Sequence, residues 1–442
     1  MASTKETLIE KFRSRDAAVA IVGLGYVGLP LAVELARVGF RVTGIETDEG
    51  KTAALNEGRS YVEDVPSEAL APLLKAKTFC AVTGFDVVRS QDAVLLCVPT
   101  PLNKGRDPDM SFIVTASRAI AEHFGPGKLV VLESTTYPGT TEEILLPAFQ
   151  PVAGREGEDF FLAHSPERID PANKRFTVSN TPKVVGGISP ASTEVAAALY
   201  GQIVERVVPV STPAAAEMVK LLENTFRSVN IALVNEVALI CDRLGLNVWE
   251  IIEAAATKPF GFMPFYPGPG LGGHCIPVDP HYLSWKLRTL NFNARFIELA
   301  SEINSHMPHY VVDKVVAALN ERGKSVKGSR ILLLGLSYKR DVGDLRESPA
   351  LDVLEHLVRM GADVRYSDPY IPALNYNGIV LDSTAFTEEG LASVDCVVIT
   401  TDHSAFDYEA VARSAHSIVD ARNALAPLLL KDASLRKKVK RL

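Results

Sequence analysis

Five cysteines in 442 residues, an odd count with no Cys-x-x-Cys spacing, exclude a disulfide framework and a zinc ribbon and imply a reducing, cytoplasmic compartment. No apolar run reaches the length of a membrane span, and the start lacks the charged-apolar-small pattern of a secretory signal. Basic clusters are equally scarce. At a net charge of -7 no surface for nucleic acid is expected, and the one dense block, "RKKVKR" at 436–441, reads as a solvated terminus. The rest is 47% hydrophobic and 22% charged, long enough for two to four domains with real cores, behind a polar lead-in helix in "MASTKETLIEKFRSRD".

The cysteines differ in setting. Cys97 and Cys396 lie in apolar strand-like runs and Cys241 in a helical pattern, where a thiol is a small hydrophobe. Cys275 alone sits among glycines, in "GPGLGGHCIPVDP" at 268–280, four residues before Asp279. Glycine permits close backbone approach at an entropic cost, so four beside one thiol indicate either a loop shaped around a ligand or a tight turn that happens to contain a cysteine. His274, Cys275, Asp279 and His281 fit no common metal-site spacing, and no metal is expected.

Near the start, "AAVAIVGLGYVG" is a short apolar strand running into Gly23-Leu24-Gly25-Tyr26-Val27-Gly28, followed by a helical pattern and a second strand, "FRVTGIE", ending at Glu46. In that setting the glycines form a dinucleotide fingerprint: Gly23 makes the turn, Gly25 admits a pyrophosphate to the helix N-terminus, and Gly28 lets helix and strand pack. Glu46, reinforced by Asp48, accepts ribose hydroxyls and disfavours a 2′-phosphate, so NAD is expected rather than NADP, with Lys51 nearby as the opposing charge. Further strands fall at 92–101, 128–136, 160–168 and 183–187. Their alternation with helices predicts a parallel, doubly wound sheet, with "PTP", "STT" and "SPER" on the ligand-binding rim at the strands' carboxyl ends.

At Thr212-Pro213 the pattern breaks into a helix, with threonine as N-cap and proline as first residue, that runs without interruption to Gly245. Roughly 32 residues at ~1.5 Å each is too long for a sheet crossover, so this helix bridges domains or forms an oligomer seam. Lys220 and Asn224, four apart, share one face of it. Past residue 325 the strand-helix alternation restarts as a weaker echo, with Gly335 alone in place of three glycines and a strand ending at Asp368. Its first turn, "SYKRDVGDLRESP", offers Lys339 and Arg346 as cations for phosphates.

Taken in order, the glycine fingerprint, "STTYPGT", "SPER", Lys-x3-Asn on a long helix, "GGHC" with Asp279, and "YKxDxxDxRESP" resemble the UDP-glucose/GDP-mannose dehydrogenase family along essentially the whole chain. The resemblance implies an α/β fold of two Rossmann-like, doubly wound parallel-sheet domains joined by a central helical domain with one long helix. Its domains would be an NAD domain over 1–210, a central domain over 211–322 carrying the catalytic loop and oligomer seam, and a UDP-sugar domain over 323–442. Homodimers or higher oligomers through the long helix are implied, without nucleic-acid or membrane partners. Carried over by motif, Cys275 is the nucleophile, with Lys220, Asn224 and Asp279 around it; Glu167 and Thr135 are acid-base and water-positioning residues. Gly23, Gly25, Tyr26, Val27, Gly28, Glu46, Lys51, Thr100, Thr135 and Arg346 contact NAD. Glu167, Arg168, Lys220, Asn224, Tyr266, Gly272 and Lys339 contact the sugar nucleotide. Two departures stand out: "TKPFG" at 257–261 lacks the arginine of the UDP-glucose branch, and an acid after the Pro-Glu pair is displaced to Asp170, before Pro171. The segment from Lys258 to Lys286 looks most like the branch acting on UDP-N-acetylglucosamine.

Family members oxidise C6 of a nucleotide sugar to a carboxylate with two NAD. UDP-glucose and UDP-N-acetylmannosamine are the alternative substrates. A two-electron 3-hydroxyacid dehydrogenase would also carry a Rossmann domain and Lys-x3-Asn, but needs neither Cys275 nor a second Rossmann-like domain.

Overall fold

A computed structural model describes residues 3–62, 64–103, 105, 107–168 and 175–442; Asp170 and Pro171 lie outside the described residues. The chain folds into two compact units, residues 1–223 with 281–292, and residues 224–280 with 293–442.

The first unit is built on one sheet. Its strands are β1 Ala18–Val22, β2 Arg41–Ile45, β3 Phe79–Val82, β4 Ala93–Leu96, β5 Leu129–Leu132, β6 Phe161–His164, β7 Lys183–Gly187 and β8 Val207–Pro209, in spatial order β3-β2-β1-β4-β5-β6-β7-β8. Strands β4, β5 and β6 are buried at every residue, as expected where helices cover both faces of a parallel sheet. The order reverses between β1 and β4, which is where such sheets open a ligand crevice. One pairing departs from the expected parallel pattern: β7 runs antiparallel to β6. A parallel return needs a crossover, usually a helix, and the described residues between these strands form none. The lead-in helix Thr4–Ser14 starts with a capping box between Ser3 and Glu6, and it is amphipathic rather than simply polar, because Leu8 and Phe12 are buried in the core.

The long helix spans Pro213–Leu244, 32 residues. Thr212 caps it as the sequence predicts, its hydroxyl accepting the Ala215 N–H at 3.1 Å, and Gly245 ends it at φ +69. The second unit also holds the helices Val248–Ala256 and Arg295–Asn320 and a smaller sheet. Its strands are β9 Arg330–Leu334, β10 Asp363–Ser367, β13 Cys396–Ile399, β14 Ile418–Asp420 and β15 Val439–Arg441, all parallel, in order β10-β9-β13-β14-β15; β11 Ala373–Tyr376 and β12 Ile379–Asp382 form a separate hairpin. The basic tail is therefore not a solvated terminus. It pairs with β14 and buries Val439 and Leu442, so two apolar residues in a charged run anchor it and cover a sheet edge. Among the described residues no helix is long and apolar enough to cross a membrane.

Candidate active site

The fingerprint glycines divide their work by space. Gly23, at φ +88, would place a Cβ 2.6 Å from the Cys97 carbonyl oxygen, and Gly28 would place one 1.9 Å from the Gly23 oxygen, so both positions are closed by backbone. Among the described residues nothing lies within 4 Å of where a Gly25 Cβ would be. That open cradle at the start of helix Gly28–Arg37, beside the switch point, fits a pyrophosphate. Glu46, at the end of β2, accepts the N–H groups of Leu24 and Asp48, each at 3.2 Å, which fixes the carboxylate beside the loop. Lys51 donates its backbone N–H to Asp48 and sets its ammonium over the Tyr61 ring, whose hydroxyl donates to the Leu24 carbonyl. Tyr26 is half exposed on the same loop.

The rim residues gather as the sheet topology requires. Thr100 is buried, and its carbonyl accepts the Tyr282 hydroxyl at 2.8 Å. Ser134 ties "STT" to β4 by donating to the Val98 carbonyl at 2.8 Å, and Thr135 follows it, partly exposed. Glu167 is buried, with the Arg168 N–H 2.6 Å from its Oε1. The Arg168 guanidinium, expected at the substrate, pairs with Glu223 of the long helix at 2.6 Å and donates to the Pro182 carbonyl at 2.7 Å. Glu217, one turn before Lys220, accepts from the N–H groups of Gly139 and Thr141 and the Thr141 hydroxyl, docking "YPGT" on that helix. Sequence reasoning missed a buried Glu133–Lys183 pair at 2.6 Å on this rim. The one available signal was a charge directly flanking each of two apolar strand runs.

In the second unit, Cys275 is partly exposed in the turn that leads into helix Asp279–Thr289. Its carbonyl accepts the N–H groups of Val278 at 3.1 Å and Asp279 at 2.8 Å. Asp279 and Asn224 are both almost wholly buried, and the Asn224 amide donates to the Asp279 carboxylate. Arg227, absent from the sequence reading, donates to the other end of that amide and so orients it.

Packing within the second unit also demands the glycine stretch. A Cβ on Gly272 would lie 2.5 Å from the Tyr338 Cβ, one on Gly273 2.8 Å from the Tyr338 ring, and one on Gly268 2.8 Å from the Arg422 guanidinium. The Gly273 N–H also donates to the Arg346 carbonyl at 2.9 Å. Side chains at these positions would collide with the 338–346 turn and with Arg422, against which the loop packs. That turn carries Lys339, and Arg346, whose guanidinium is held by Asp344 at 2.6 Å. Arg422, donating to the Thr400 carbonyl at 3.0 Å, is a further cation at this loop that the motifs did not single out. Tyr266 stacks on Trp249 and donates its hydroxyl to Glu253 at 2.8 Å.

The second Rossmann-like sheet repeats the acid without its opening. Asp368 takes the N–H groups of Leu336 and Ser337 at 2.7 and 3.1 Å, as Glu46 takes that of Leu24, but it is 3% exposed and also holds His403 at 3.2 Å. A Cβ at Gly335 would strike Thr401 at 2.5 Å. Gly335 therefore does not provide the open position that Gly25 does.

Comparison with known proteins follows the same order. Three models of the UDP-glucose/GDP-mannose dehydrogenase family match in succession: its NAD binding domain over residues 17–204, its central domain over 214–306 and its UDP binding domain over 332–427. The chain is 36% identical over 413 residues to a UDP-N-acetyl-D-glucosamine 6-dehydrogenase of Pseudomonas aeruginosa, covering 92% of this chain and 93% of that one. It is 35% identical over 393 residues to a UDP-N-acetyl-D-mannosamine dehydrogenase of Methanococcus maripaludis (strain C7), covering 88% and 86%. A solved UDP-D-ManNAc dehydrogenase structure from Pyrococcus horikoshii superposes with a TM-score of 0.83 at 34% identity, covering 92% of this chain and 96% of that one.

Proposed function

Because this chain belongs to the UDP-glucose/GDP-mannose dehydrogenase family and is an NAD-dependent nucleotide-sugar dehydrogenase, we propose that it oxidises C6 of UDP-N-acetylglucosamine from alcohol to carboxylate, through a thiohemiacetal and a thioester on Cys275. On this reading residues 1–210 hold NAD, 211–322 carry the long helix and catalytic loop, and 323–442 hold the UDP-sugar. The enzyme works in the cytoplasm as a homodimer or higher oligomer through the long helix, a seam supported by the exposed Leu222, Phe226, Leu233, Ile240 and Leu244 along it.

Bound NAD supplies a hydride acceptor, used twice per sugar. The chain's residues do the rest. An aldehyde cannot release hydride until a nucleophile adds to its carbonyl, so the Cys275 thiolate forms a C6–S bond and leaves an oxyanion. The positive end of helix Asp279–Thr289 favours the thiolate. Lys220 and Asn224 stabilise the oxyanion, a role in which losing one donor typically costs about 2.7–4 kcal/mol. When C6 loses its second hydride, a thioester remains. Glu167 takes the proton of a water positioned with Thr135, the water oxygen adds to the thioester carbon, and the C6–S bond breaks to return the thiolate. Asp279 serves by orientation, since its carboxylate is engaged by Asn224.

One observation carries this reading: Asn224 of the long helix donates to buried Asp279, whose own N–H holds the Cys275 carbonyl. The choice of N-acetylglucosamine is supported by "KPFGFMPFYPGPG" and by the 36% identical relative. The test counts NADH formed per sugar consumed, with UDP-N-acetylglucosamine, UDP-N-acetylmannosamine and UDP-glucose compared by kcat/KM. Two NADH per sugar, with the first substrate preferred, is the expected outcome. Cys275→Ala should fold and bind NAD yet make no acid; near-parental acid formation by that variant would sink the mechanism.

A further inference from the structure

Three groups that this reaction does not use are buried together on the rim of the first sheet. Lys183 opens β7 with its Nζ 2.6 Å from Glu133 Oε2 and 5.3 Å from the centre of the Tyr200 ring. Tyr200 donates its hydroxyl to the other oxygen of Glu133, and both residues are wholly buried. The same Lys183 ammonium donates to the Pro166 carbonyl at 3.2 Å.

The antiparallel strand makes this contact possible. In register, His164 at the end of β6 pairs with Gly186, so the first residue of β7 reaches past the end of β6 to the segment Ser165–Glu167. A parallel β7 would have put Lys183 at the opposite edge of the sheet, away from the ligand rim. The position also has chemical consequences. Burial pushes the Lys183 ammonium towards losing its proton, but Glu133 and then Glu167 outweigh this and hold it above the usual lysine range. A buried ion pair is seldom more stabilising than an apolar pair of the same volume, so stability alone gives little reason to keep one here. Sequence neighbours supply a reason: Glu133 stands two residues before Thr135, and Pro166 one before Glu167.

We propose that Lys183 is a positioning residue for the hydrolytic half of the reaction: by clamping the Pro166 carbonyl against the Glu133 carboxylate, it holds Glu167 where that residue takes the proton of the attacking water. The inference rests on the role given to Glu167 above, and the experiment separates the two. Lys183→Met strands a buried carboxylate, so it is paired with the double variant Lys183→Met/Glu133→Gln, which removes both charges and leaves the Tyr200 hydroxyl an acceptor. In both, NAD affinity and the KM for UDP-N-acetylglucosamine should stay near the parental values while kcat for acid formation falls by about 100-fold, the usual effect of a small misplacement of a reacting group. Mass spectrometry of the quenched reaction should find the sugar thioester retained on Cys275, as it should in Glu167→Gln. Absence of the thioester in Glu167→Gln would refute the role of Glu167 itself. A retained thioester in Glu167→Gln beside parental kcat in the double variant, or a slow double variant with no thioester, would overturn the positioning role of Lys183. Failure of the double variant to fold, read by circular dichroism, would overturn it too, because the pair would then serve the core.

Discussion

Lowering the pH from 7 to 5 should weaken the first unit by about 2 kcal/mol through His164 alone. The ring closes β6 and is 1% exposed; among the described residues its Nδ1 has no hydrogen-bond partner, and the nearest carboxyl is that of Glu217, 4.0 Å away. Burial first, then the charges of Lys183 and Lys220, push this histidine down from 6.5 to about 3. Glu217 offers little compensation, because burial pushes its own carboxyl up. The sign follows from the two states. The unfolded ring takes a proton near 6.5 and the folded ring only near 3, so below 6.5 the unfolded state binds more protons. Stability is full above the unfolded value and is lost as pH falls through the window towards the folded one, by up to about 1.4 kcal/mol per pH unit. Urea unfolding of the parent and of His164→Gln at pH 7 and pH 5 isolates the effect, since every other titrating group is common to both proteins. The parent should lose about 2 kcal/mol more than the variant over that interval. Equal losses in the two proteins would show that the ring does not resist protonation in the folded state.

Two further outcomes concern the cofactor site. Gly28→Ala, which drives a Cβ to 1.9 Å from the Gly23 oxygen, should destabilise the fold by about 1–3 kcal/mol or more, whereas Gly25→Ala, which meets nothing within 4 Å, should leave the melting temperature unchanged and weaken NAD binding in calorimetry. Matching thermal losses in both would contradict the cradle at Gly25. Glu46→Gln should weaken NAD by roughly 1.5–3 kcal/mol and narrow its advantage over NADP; equal kcat/KM with NADP and NAD in the parent would refute that role for the carboxylate.

Much of the fold is legible because its signals are local. A strand, three spaced glycines, a helix and an acid about 20 residues on occupy one continuous segment, and each residue type answers a steric or electrostatic demand within that segment. The long helix is equally local, with Thr212 and Pro213 at one end, Gly245 at the other and no breaker between. Family membership follows from several such motifs in a fixed order. The reversed direction of β7 is not local. It depends on which edge of the sheet was left to pair and on the absence of a crossover helix among the described residues. The β15 strand likewise follows from an open edge at β14 that two apolar residues in a basic tail can cover.

The site divides in the same way. Residue type and spacing singled out Cys275, Asp279, Lys220 and Asn224, and the family resemblance added Glu167. Sequence alone could not show what crowds the glycines at 268–273, since Tyr338, Arg422 and Pro349 lie some 65 to 155 positions further on. It passed over Lys183 and Glu133, 50 positions apart, whose meaning comes only from their contact. Covalent neighbourhood determined the fingerprint, the long helix and the reactive residue types. Packing between distant segments decided strand direction, the neighbours of each glycine and the partners of each buried charge, because burial and hydrogen-bond pairing are properties of space and not of chain order.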